Sequence, residues 1–162
     1  GNGAGKTCNA LGLALRSIGH NKKVVIIQFL KWWKNIGEYK IRTKLKPYYE
    51  IYQFGRKGWH GLNNLGKEDR KLAIKALKFG EKITDEKKPD LLVFDEINLA
   101  LHCKLLDERD VLGFLGKIPK KTDVVLTGRF APRKLVDRAE FVNEIVGVKC
   151  PREMVTKKGI QY

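Results

Sequence analysis

Gly1-Asn2-Gly3-Ala4-Gly5-Lys6-Thr7 places alternate glycines directly before a lysine and a hydroxyl, a set that can hold a polyphosphate. Glycines let a loop turn its backbone N–H groups inward around phosphate oxygens. Lys6 adds a point charge to the phosphates, and the Thr7 hydroxyl suits Mg²⁺. A helix after the loop would aim its positive end at the same anion. Asn2, Gly3, Ala4, Gly5, Lys6, Thr7 and Cys8 are therefore the candidate ATP contacts. The plainer reading is a glycine-rich turn that only starts a helix. Three residues separate Gly1 from Gly5 where the usual P-loop has four, which makes this a shortened variant unless a residue upstream of Gly1 fills the place.

Two further sets could complete such a site. Asp95-Glu96 closes the apolar run Leu91-Leu92-Val93-Phe94. Acids at the tip of a buried strand lie beside a P-loop, because ligands of open α/β sheets sit outside the carboxyl ends of the strands. Either carboxylate could hold Mg²⁺, and the competing reading is an ordinary acid pair at a helix start. Thr127-Gly128-Arg129 ends the run Val124-Val125-Leu126, and Arg129 could grip phosphate with its planar fork. Lys6, Glu96 and Arg129 are the candidate catalytic groups; Thr7, Glu96 and Asp95 are the candidate metal ligands. Trp32-Trp33 and Trp59-His60 stand in segments without periodicity. They could grip a flat ligand or simply cluster beneath loops. His20, His60 and His102 lack metal-ligand spacing and read as structural.

The elements that must position these groups alternate. Leu11, Ala14, Leu15 and Ile18 mark one helix face over residues 6–18, with Gly19 as a stop. Val24-Val25-Ile26-Ile27 reads as a strand buried on both faces. Residues 31–48 read as a loop with a short helix, and residues 50–54 as a strand. Leu72, Ala76, Phe79 and Ile83 predict a helix over residues 67–84. Strands follow at 91–94 and 124–126, short helices at 99–106, 107–115 and 132–137, and a last strand at 141–146. All-apolar strands alternating with helices predict an α/β fold of the P-loop NTPase (RecA-like) kind. Its mostly parallel sheet would be covered by helices on both faces. The whole of 1–162 reads as a single nucleotide-binding domain. A P-loop normally follows a strand, and the sequence opens inside the loop, so the first strand is expected to be missing through N-terminal truncation.

Composition narrows the setting. Hydrophobic residues make up 43% of the 162 residues, enough for a packed core. No apolar run approaches the roughly 18 residues of a membrane span. Cys8, Cys103 and Cys150 offer neither a C-x-x-C pair nor an even count, which suits a reducing cytoplasm. The net charge of +15 raises a nucleic-acid reading. The lysines, however, are scattered in pairs at element ends without a long basic tract. A soluble surface or a funnel for polyanions such as ATP is the preferred reading.

Taken in order, these pieces resemble the corrinoid adenosyltransferases of the CobA/CobO/BtuR type. The likeness rests on the short G-N-G-x-G-K-T loop and on Ala10-Leu11-Gly12-Leu13-Ala14-Leu15-Arg16. It extends through Val25-Ile26-Ile27-Gln28-Phe29-Leu30-Lys31, then Phe54-Gly55 to Gly58-Trp59, and Phe94-Asp95-Glu96-Ile97-Asn98. Thr127-Gly128-Arg129 with Ala131-Pro132, and Lys158-Gly159-Ile160-Gln161-Tyr162, complete it. The resemblance implies that the Co(I) of a reduced corrinoid attacks the 5′ carbon of ATP and displaces tripolyphosphate. No protein nucleophile is then needed. It implies ATP and a corrinoid as substrates, Mg²⁺ with Thr7 and Glu96, a homodimer, and an electron-donating reductase as a further partner.

By the same resemblance, Trp59 stands where the family carries a phenylalanine that packs near the corrin and helps displace the lower axial ligand. Two departures fall on that side: Gly61 replaces the family's second aromatic, and Lys149-Cys150-Pro151 stands for Lys-His-Pro. Two other readings stay open at this point. One is a different P-loop enzyme, such as a thymidine-kinase-like nucleoside kinase or a small ATPase. The other is a basic nucleic-acid-binding module.

Overall fold

A computed structural model describes residues 1–58, 61–153 and 156–161. Helix α1 (Lys6–Ile18) leads into β1 (Val24–Phe29), whose six residues are all buried. The short α2 (Gly37–Lys40) runs into a 3-10 turn over Ile41–Thr43 before β2 (Tyr49–Phe54). The long α3 (Lys67–Lys87) precedes β3 (Leu91–Asp95), which is buried throughout. Then come α4 (Ile97–His102), α5 (Glu108–Lys117), β4 (Asp123–Leu126) and α6 (Arg133–Arg138).

The four strands form one sheet in the order β2-β1-β3-β4, and every pairing is parallel. Parallel strands need crossovers, and the helices provide them on both faces. On one face Ala10 and Ala14 of α1 pack over Val24, Ile26, Tyr49, Ile51, Leu91 and Val93. On the other, α3, α4, α5 and α6 close over Val25, Ile27, Phe29, Leu92 and Phe94. The expected parallel α/β sheet of the P-loop NTPase-like kind is therefore present. Because all strands run the same way, their carboxyl ends gather on one edge.

Three expectations need correction. In α1 the buried face centres on Ala10 and Ala14, and Leu15 is 64% exposed. Small residues win that face because the helix lies close against the sheet. In α3 the buried stripe is Asp69, Ala73, Ala76, Leu77, Gly80, Ile83 and Thr84, with Phe79 packed at its border. Residues 141–146 do not form a strand. Phe141 is 90% exposed, and the segment's one backbone bond to the loop is Gly3 N–H to the Ile145 carbonyl, 2.8 Å. Apolar residues alone do not make a strand where no ladder and no core receive them.

Gly80 shows how tightly α3 seats on the sheet. A Cβ there would lie 2.6 Å from Cζ of Phe94 and 3.3 Å from Cδ1 of Ile27. The Phe94 ring is itself held edge-on between Phe29 and Phe114. Gly80→Val is expected to destabilise the fold by about 2 kcal/mol through overpacking, read as a lower urea midpoint at unchanged slope. A variant as stable as the parent would mean that the Phe94 layer is loose.

Candidate active site

The loop of residues 2–7 and the strand tips meet on the carboxyl edge of the sheet. Gly5 caps α1 with φ 104°, a left-handed conformation that side chains resist and glycine takes freely. Among the described residues no side-chain cap is made at the start of α1. Its first amides, those of Lys6, Thr7 and Cys8, have by position no carbonyl within the helix. They form an uncapped donor set at the positive end of a helix dipole, the arrangement that receives phosphate. Asn2, Ala4, Gly5 and Cys8 are exposed there, and Gly3 is buried. The Lys6 ammonium folds back over the loop, donating to the carbonyls of Gly3 at 2.6 Å and Gly1 at 3.2 Å.

Asp95 is the centre to which the other groups attach. It is 1% exposed. Its Oδ1 accepts from the hydroxyls of Thr7 at 2.9 Å and Thr127 at 2.7 Å. Its Oδ2 accepts from Gln28 Nε2 at 3.0 Å and Lys31 Nζ at 2.6 Å. Lys31 Nζ also donates to Thr7 Oγ1 at 3.0 Å. Gln28, wholly buried on β1, is held in turn by Gln53 of β2 at 3.0 Å. Burial alone would push the Asp95 carboxyl up; the Lys31 ammonium, with the hydroxyls of Thr127 and Thr7, outweighs it and holds the group below its ordinary value.

Glu96 differs from its neighbour in every respect. It adopts a left-handed conformation, φ 66°, at the start of α4, and its amide donates to Thr127 Oγ1 at 3.0 Å. Among the described residues no donor is hydrogen-bonded to its carboxylate. Burial, and then the charge on Asp95, raise its pKa above the ordinary value, against the pull of Lys31, Lys6 and Arg129. Leu30, just past β1, and Phe130, just past the β4 tip, are also left-handed, at φ 59° each. Such conformations cost about 1–2 kcal/mol per residue and cluster where backbone is bent around a ligand.

The sign of the Glu96 shift gives an expected result. A raised carboxyl favours folding while protonated and loses that advantage as pH rises through its folded pKa. At neutral pH, Glu96→Gln should therefore fold at least as stably as the parent. A divalent cation held by Glu96 would need the ionised carboxylate, and nucleotide binding supported by Mg²⁺ would then weaken as pH falls through the raised Glu96 pKa. The substitution should remove that dependence, as followed by calorimetric titration across pH. An unaltered pH profile in the variant would exclude Glu96 from the metal seat.

The model of the family described as ATP:corrinoid adenosyltransferase BtuR/CobO/CobP matches residues 1–162. The chain belongs to this family. Among its relatives, Corrinoid adenosyltransferase CobA of Salmonella typhimurium is 31% identical over 150 residues, covering 92% of this chain and 74% of that protein. The Corrinoid adenosyltransferase of Pseudomonas aeruginosa is 30% identical over 164 residues, covering 100% and 80%. That of Sinorhizobium sp is 30% identical over 156 residues, covering 93% and 71%.

Within this adenosyltransferase-family chain, the groups singled out from sequence divide clearly. Thr7, Asp95 and Glu96 come together, and the charges of Lys6 and Arg129 reach Glu96. Arg129 itself is exposed. Trp59, with His60, lies outside the described residues. Sequence reasoning missed Lys31, Gln28 and Thr127 as site residues, although all three bind Asp95 directly and Thr127 also accepts from the Glu96 amide. Position was the available signal, since Gln28 and Lys31 flank the tip of β1, the strand paired with β3. Among the described residues no helix is long and apolar enough to cross a membrane.

Proposed function

We propose that this chain transfers the 5′-deoxyadenosyl group of ATP to the Co(I) of a reduced corrinoid, releasing tripolyphosphate, in adenosylcobalamin biosynthesis or salvage. The carrying observation is the bond from Thr7 to Asp95, 2.9 Å across 88 residues of sequence. It fixes the phosphate loop against the strand-end acids. Family membership supplies the chemistry for which that junction is suited.

In this reading the amides of residues 2–8, with Lys6, hold the triphosphate. Arg129 swings in from the exposed edge to share its charge. Thr7 and Glu96, supported by Asp95, would hold Mg²⁺; the oxygen donors suit a hard cation, and the spot already favours positive charge because Lys31 lies against it. When bound, the ion neutralises charge that develops on the leaving triphosphate. The nucleophile belongs to the corrinoid, so the chain's own task is to orient ATP and exclude water. Trp59 is assigned to the corrin side. The chain is further proposed to work as one domain in a cytoplasmic homodimer, served by an electron-donating reductase. Free Cys8, Cys103 and Cys150 accord with a reducing compartment.

The test is anaerobic. Chain, Mg²⁺, ATP and chemically reduced cob(I)alamin should yield a light-sensitive Co–C product and an equivalent of tripolyphosphate. Release of ADP and phosphate alone would favour a kinase or small ATPase. Oligonucleotide affinity with a steep salt slope, retained in Lys6→Ala, would favour the nucleic-acid reading instead.

A further inference from the structure

Lys31 stands in the place of a cation. Its ammonium lies 3.0 Å from Thr7 Oγ1, assigned above to the metal, and 2.6 Å from Oδ2 of Asp95, the carboxylate that supports that seat. Asp95 is closed from water, while Lys31 is 27% exposed along its side chain. The lysine therefore approaches from the solvent side and can leave by that side. Leu30, the residue before it, is left-handed just past the tip of β1. A flexible four-carbon stem lets Nζ move without the backbone following.

We propose that Lys31 is a built-in counter-ion that occupies the metal seat in the nucleotide-free protein and yields it only when the cation arrives with a polyphosphate. The inference rests on Thr7, Asp95 and Glu96 forming that seat. An ammonium and a divalent ion cannot share it, because at such separations their repulsion exceeds thermal energy several-fold even in a well-screened site. A bare cation must displace Lys31 and leave its ammonium with no anion in exchange. A cation carried by ATP brings phosphate oxygens that accept the released ammonium. Nucleotide and metal thereby load together, and the carboxylates are kept from collecting free divalent ions.

Mn²⁺ read by electron paramagnetic resonance, without nucleotide, tests this directly. Lys31→Met and Lys31→Gln should each bind free Mn²⁺ at least about tenfold more tightly than the parent. The glutamine variant keeps neutral donors to Thr7 and Asp95 should the methionine variant fail to fold. Lys34→Met removes the same charge nearby, and its affinity should stay within about twofold of the parent, since screening weakens distant charges. With ATP present the Lys31 variants should lose their advantage and bind Mn²⁺·ATP no more tightly than the parent. Unchanged or weaker free-Mn²⁺ binding in both variants would overturn the proposal, and so would equal tightening with and without ATP. Adenosyl transfer is read separately, by the Co–C product, so failure of that reading and failure of this one give different results.

Discussion

Lys6→Ala is expected to lower adenosyl transfer by about 10²–10³-fold, the effect of removing one preorganised charge from a developing anion. Among the described residues the ammonium bonds the carbonyls of Gly1 and Gly3 in the free protein, so its loss strands no charged partner. Folding should survive, with a melting curve close to the parent's. The loss should appear chiefly in kcat at saturating ATP, since tripolyphosphate carries more charge as it departs than while it is part of ATP. A variant that keeps transfer within tenfold of the parent would remove the loop lysine from the reaction.

How much of this was legible without coordinates follows from what each signal encodes. β1 and β3 were readable because Val24-Val25-Ile26-Ile27 and Leu91-Leu92-Val93-Phe94 are apolar at every position, as a strand covered on both faces must be. The loop was readable because phosphate cradling demands particular residue types in immediate succession. The faces of α1 and α3 were less so. Periodicity finds a stripe, but close approach to a sheet selects Ala10, Ala14, Ala73, Ala76 and Gly80 over larger apolar neighbours. The polar cluster was hidden for another reason. Gln28 lies within an apolar strand and Lys31 just beyond it, and only the pairing of β1 with β3 brings both to Asp95.

That pairing also separates two adjacent acids into different tasks. Each oxygen of Asp95 already accepts at least two hydrogen bonds, so it is an ionised anchor that ties loop, β1 and β4 to β3. Glu96 is turned out of the strand by its left-handed backbone and keeps its carboxylate unclaimed among the described residues. On the proposed reading, direct contact with an incoming cation falls first to Glu96 and Thr7. In the same reading Asp95 would contribute its charge from behind them.

Asp95→Ala should then unfold far more readily than a substitution at Glu96. It strands the Lys31 ammonium, leaves the Thr127 hydroxyl without its acceptor, and leaves the buried Gln28 amide with a long 3.5 Å bond to Glu38. Breaking a buried ion pair from one side typically costs about 3–5 kcal/mol, and Lys31 escapes part of that by turning toward water. Urea denaturation at neutral pH should show a loss of at least about 2 kcal/mol, with Lys31→Met losing less, because three neutral donors still reach the carboxylate. The pH dependence fixes the sign. A carboxyl held below its ordinary value stabilises the fold above the unfolded pKa and loses that contribution as pH falls through the folded one. The stability gap between parent and Asp95→Ala should therefore narrow in strong acid, where the parent's Asp95 is also protonated. A gap that stays constant across the acid limb would mean that the carboxylate's charge is not what joins these four segments.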